Sequence, residues 1–129
     1  MTSKRAARLS VCECGSSAVE LALILSIFLT MLFGIINVAM VLWTLGSLHY
    51  AAENAARCAA VGSAGCTTAS AIQTYALNQY AGLSLGGTNP FTYSATGCGN
   101  TVRAAYTYSL VIPFAGTYSL PLSATACSP

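Results

Sequence analysis

Charge is what this sequence has least of. Only 6% of its 129 residues are Asp, Glu, Lys or Arg, there is no aspartate, and histidine occurs once, as His49. General acid–base chemistry needs paired titratable groups, and a catalytic nucleophile needs a base oriented by a third group. The three glutamates, Glu13, Glu20 and Glu53, are too far apart in the chain to suggest such a constellation, so no enzyme is expected. A glycine-rich phosphate loop is also missing. The six cysteines do not fall into the two close pairs of a structural zinc site, and neither a cofactor nor a metal is expected. Beyond residue 48 the only basic residues besides His49 are Arg57 and Arg103, which is no surface for nucleic acid.

What the chain does have is apolar length. From Leu21 to Leu48, 28 residues pass without an ionisable side chain. Ser26, Thr30, Asn37, Thr44 and Ser47 are the only strongly polar interruptions. A helix needs roughly 20 apolar residues to cross a bilayer. With 55% hydrophobic residues overall, the composition fits a membrane protein and not a charged disordered chain. The apolar stretch of a secretory signal would be about half as long, followed by a small-residue cleavage site. Here LHYAAENAAR continues in helical style. Trp43, His49 and Tyr50 read as interfacial residues at the end of the span.

Charge placement gives an orientation. Lys4, Arg5 and Arg8 precede the run, against Glu13 alone. The positive-inside rule puts the N-terminus in the cytoplasm and residues after Leu48 outside. Removing residues 1–15 would take away three basic residues and one acidic one, lowering the formal side-chain charge from +2 to 0.

Glu20 is the anomaly. A carboxylate at the threshold of a membrane helix is costly without a partner and points to a function. The bland alternative is the interfacial edge of an ordinary signal anchor.

Past the span the helix is expected to run on to Gly62. Ala51, Ala55 and Ala59, and Ala52, Ala56 and Ala60, form two rows at four-residue spacing. Such rows reflect either plain helix propensity or a small-residue face for a second helix. Glu53 and Arg57 stand four apart in the favourable order. Thr67 or Thr68 can cap a second helix reaching about Tyr80, striped by Ile72, Tyr75, Ala76 and Tyr80, with Gly82 as its stop. Residues 82–90 read as loop. Alternation from Val102 to Ile112 marks a strand, broken by Pro113 and Gly116. Tyr118–Cys127 marks another, with Leu120, Leu122, Ala124 and Ala126 on one face and Pro121 demoting its start to an edge or bulge. Phe91–Ala95 adds a short third strand. The expected class is α+β: a long N-terminal helix, a short second helix and a small antiparallel sheet. The expected organisation is a leader (1–15), a long helix (16–62, with its transmembrane part at about 21–48) and an exported domain (63–129).

Cys12 and Cys14 lie in the leader, leaving Cys58, Cys66, Cys98 and Cys127. An even number in a small exported segment suggests two disulfides. Three pairings are possible. The layout favours Cys58–Cys66 across the glycine-rich turn and Cys98–Cys127 across a hairpin.

The order of basic leader, Gly15-Ser16-Ser17-Ala18-Val19-Glu20 and a long apolar helix resembles the type IV prepilin class. The segments SSAVELALIL, LFGIINVAMVLW and AAENAARCAA are similar to those of TadE-like minor pseudopilins of tight-adherence (Flp) pilus systems. The resemblance implies cleavage between Gly15 and Ser16 by a prepilin peptidase, with Glu20 as the fifth mature residue, acting in assembly. It also implies pilin and pseudopilin partners, the pilus assembly platform and roles in adherence and biofilm formation. The place implied is the bacterial inner membrane, crossed once. Leu21 and Ser26 depart from the aromatic residue and proline common in the family. Leu21 and the exported domain favour the minor class over the short major pilin. The alternative is an uncleaved, membrane-anchored binding protein with a disulfide-bonded outer domain.

Overall fold

A computed structural model describes residues 14–112 and 116–129. The leader residues Lys4, Arg5, Arg8, Cys12 and Glu13, and the expected break at Pro113, lie outside the described residues. The order of elements is α1 (Cys14–Val61), α2 (Ala69–Gln79), β1 (Phe91–Thr96), β2 (Gly99–Ile112) and β3 (Gly116–Ser128). The protein is α+β, with a long apolar helix, a short second helix and a three-stranded antiparallel sheet. The chain divides into two compact units, residues 1–33 and 34–129.

In the first unit the described residues belong to α1 alone. From Ser17 to Phe33 every side chain is exposed, including Leu21, Ile24, Ile27, Phe28 and Met31. Ser26 and Thr30 donate their hydroxyls to the carbonyls of Leu23 and Ser26, both at 2.8 Å. That satisfies them without water, as a bilayer requires. The helix is long and apolar enough to cross a membrane, and the protein fits a single-pass membrane topology.

In the second unit one side of α1 goes inside. Thr44, Leu48, Ala51, Ala52, Ala55 and Ala56 are buried, with Val41, Leu45 and Ala59 packed at the margin. They meet Ile72 and Ala76 of α2, Phe91 of β1, Val102 and Ala104 of β2, and Leu122, Ala124 and Ala126 of β3. The alanine rows therefore serve this unit's own core, and of the six only Ala60 is exposed. The helix they meet is α2 of the same chain, through Ile72 and Ala76, together with the sheet. Eight of the fourteen buried apolar residues are alanine. Elements can approach closely over such residues, but each alanine removes little apolar area from water.

Helix α1 ends at Gly62, whose φ of +64° is the left-handed value that favours glycine at a helix C-terminus. Cys58 and Cys66 are joined across the following turn, Cα–Cα 5.8 Å apart. Thr68 caps α2, its hydroxyl accepting from the Ala71 N–H at 3.2 Å. The helix stops at Gln79, earlier than Gly82 suggested, and its cap residue is Tyr80. Gly82 has a different job. The Tyr80 hydroxyl donates to the Leu83 carbonyl at 2.9 Å, which folds the ring over Gly82, where a Cβ would collide with it.

The sheet order is β1-β2-β3. Pro121 sits opposite Thr107 in β3 with the register unbroken on either side. Because β3 is an edge strand, a residue without an N–H is tolerated there. Cys98, in the β1–β2 turn, is bonded to Cys127 of β3. On the outer face Thr92, Ser94, Thr107, Ser109, Ser119, Ser123 and Thr125 are all exposed, with Arg103 the one charge among them.

Candidate functional site

Gly15, Ser16 and Glu20 all lie in the first two turns of α1. The helix begins here because the residues are small or good helix formers, with no proline and no β-branched pair before Val19. Gly15 and Glu20 are exposed. A Cβ built on Gly15 would meet nothing within 4 Å. Packing within the chain thus gives no reason for glycine at this position. Ser16 and Glu20 are four apart, so their positions stack on one side of the helix. Glu20 makes no ion pair among the described residues, and the next described Lys or Arg in sequence, Arg57, is 37 positions on. A carboxylate at the start of a long apolar run, with no cation supplied by the described residues, is costly in a bilayer unless it finds a partner.

The second feature is a collar where the apolar run meets the folded unit. Trp43 donates its indole N–H to the Ala81 carbonyl at 3.2 Å. The Ala81 N–H donates to Ser47 Oγ at 2.8 Å. Thr44 is fully buried and donates to the Met40 carbonyl at 2.8 Å. Burial pushes the Tyr80 phenol above its usual pKa and neighbouring Tyr106 adds to this, while the Thr44 side chain opposes both. Of the interruptions in the apolar run, Thr44 and Ser47 thus belong to the folded unit. Residues 21–40 precede the first side chain packed on this core, Val41, about 30 Å of helix at 1.5 Å per residue. A hydrocarbon core is about 30 Å thick. Trp43 keeps an exposed indole face at this junction, and His49 and Tyr50 beyond it are exposed as well.

The collar was not legible in the sequence. Its partners on the α2–β1 loop follow no periodicity. The available signal was that two hydroxyl residues, Thr44 and Ser47, crowd the end of an otherwise apolar run.

A third feature is an open groove lined by Glu53, Ala56, Arg57 and residues Thr125 to Ser128. It brings the charged pair of α1 to the end of the β3 edge. Among the described residues no cluster of His, Cys, Asp and Glu could hold a metal ion.

Compared with known families, residues 15–57 match the model described as TadE-like protein. The matched segment holds Gly15, Ser16 and Glu20 and stops within the last turns of α1; α2 and the sheet lie outside it. No curated protein and no solved structure matches the chain.

Proposed function

We propose, from the match of residues 15–57 to the TadE-like family, that this chain is a TadE-like minor pseudopilin of a tight-adherence pilus system. It is cut between Gly15 and Ser16 by a prepilin peptidase and then acts in pilus assembly, surface adherence and biofilm formation. The observation that carries this reading is Glu20, an exposed carboxylate on an exposed apolar helix, five residues after a glycine that packing does not require.

Cleavage would supply what the described fold lacks. A new α-ammonium on Ser16 lies one helical turn from Glu20 of its own chain and within reach of Glu20 on an aligned neighbour. In a medium of low dielectric constant an unpaired carboxylate is far costlier than a paired one. Subunits that bring amine and carboxylate together are therefore favoured over those in other registers. The chain's partners in this reading are the peptidase, other pilins and pseudopilins, the assembly platform and the bilayer. It has no catalytic role of its own and no nucleic-acid partner. The domain sits on the extracytoplasmic side of the bacterial inner membrane, where an oxidising environment sustains its disulfides.

Glu20→Ala is the test of the assembly role. Processing should continue while pili and surface adherence are lost. Normal piliation in that variant would remove Glu20 from the account. The second reading, an uncleaved anchored binding protein, finds support in the self-contained, disulfide-bonded unit after Phe33, and predicts that Gly15→Ala changes nothing.

A further inference from the structure

We propose that the outer parts of β2 and β3, residues 106–112 and 116–122, form a membrane-contact element that rests on the extracytoplasmic bilayer surface. The proposal rests on the membrane-spanning reading of α1 and is independent of the pilus role.

Two anchors fix the hairpin's direction within the second unit. At its base, residues Thr125 to Ser128 line a groove with Glu53, Ala56 and Arg57 of α1. Further along, Tyr106 lies opposite Leu122 and donates its hydroxyl to Ser84 at 3.4 Å. The loop that carries Ser84 is itself held to α1 at Ala81, by Trp43 and Ser47. Moving from the base outward along the strands thus retraces α1 from Arg57 back to Ser47 and Trp43. From Tyr106 to Ile112 the strand continues for six more residues, about 20 Å at 3.3 Å each.

On its inward face that extension is apolar and becomes more exposed along its length. The inward face of the sheet is buried at Val102 and Ala104, half-buried at Tyr106, Tyr108 and Leu110, and exposed at Ile112. On β3 the same change runs from buried Leu122 to Leu120 and Tyr118, 42% and 54% exposed. Val111, on the other face, is 61% exposed.

Charge is distributed in the opposite sense. Glu53 and Arg57 stand at the base groove, and Arg103 pairs in register with Thr125 nearby. From Ala104 to Pro129 the sequence has no charged residue and no histidine. One end of the unit is therefore charged, and the end toward Trp43 and Ser47 is not.

The strand edges limit the depth. β1 and Pro90 before it cover β2 only up to Ala105, and among the described residues no strand pairs with the outer edge of β3. Unpaired backbone groups are excluded from hydrocarbon. The hairpin therefore lies in the headgroup layer, where the amphipathic rings of Tyr108 and Tyr118 are favoured.

The test places a photoreactive p-benzoylphenylalanine at Tyr118, Val111, Thr125 or Leu32 of the full chain. Each variant is reconstituted in vesicles of phosphatidylethanolamine and phosphatidylglycerol. After irradiation, intact mass should show phospholipid adducts from Tyr118, Val111 and Leu32, and none from Thr125. Adducts at Leu32 with none at Tyr118 or Val111 overturn the proposal alone. Cross-linked dimers through Tyr118 in place of lipid adducts overturn it in favour of a second copy on this face. Equal lipid labelling at Thr125 overturns the polarity. Absence of adducts at Leu32 removes the membrane span and the proposal with it.

Discussion

Ser47 Oγ accepts the Ala81 backbone N–H at 2.8 Å, tying the last turns of the apolar run to a loop 34 residues on. With the Trp43 indole on the Ala81 carbonyl, both backbone groups of one loop residue are satisfied by α1 side chains. Ser47→Ala should cost about 1 kcal/mol, the usual net value of one hydrogen bond, lowering the melting temperature of the domain by about 5 °C. Amide exchange at Ala81 should accelerate selectively. Unchanged exchange there would mean that the collar does not hold the loop.

The buried alanine rows make a separate prediction. Ala55→Leu forces a larger side chain into a packed core and should destabilise the folded unit by about 1–3 kcal/mol or more. Had the row been a docking face for another helix, the isolated domain would keep its stability and only association would suffer. Thermal unfolding of the chain in detergent separates the two.

Tyr80 gives a dependence on pH. Its phenol is raised above the usual value, chiefly by burial. The folded state therefore holds that proton more tightly than the unfolded state does. The resulting stability is present in full below about pH 10, the unperturbed phenol value, and is lost as pH climbs through the raised one. Tyr80→Phe should flatten this alkaline loss while costing about 1 kcal/mol at neutral pH, through the hydrogen bond to Leu83. Denaturant unfolding at neutral pH and at high pH checks both signs. An unchanged alkaline limb in the Phe variant assigns the loss to other groups.

The elements with a clear period were legible in the sequence. The uncharged run, the alternation after Val102 and the Thr68 cap each reflect a local rule, and each appears in the fold. The alanine rows were legible as a face, but not their partner, because small residues suit a membrane helix and an alanine-rich core alike. Gly82 was misread as a helix stop. Its role is set by the ring of Tyr80, a contact that only the chain's path after Gln79 creates. The collar depends on single hydrogen bonds between segments more than 30 residues apart, which no pattern encodes. At the threshold the spacing of Gly15, Ser16 and Glu20 was legible at once. The fold adds that nothing in the described chain crowds Gly15 or neutralises Glu20.

That last point makes the N-terminus the decisive place to measure. The chain expressed with its prepilin peptidase should give an intact mass and an N-terminal sequence beginning at Ser16, and Gly15→Ala should keep the leader in place. Since a Cβ at Gly15 meets nothing in the fold, loss of cleavage in that variant reports recognition and not misfolding. A chain that keeps residues 1–15 in cells where other prepilins are processed would contradict the account.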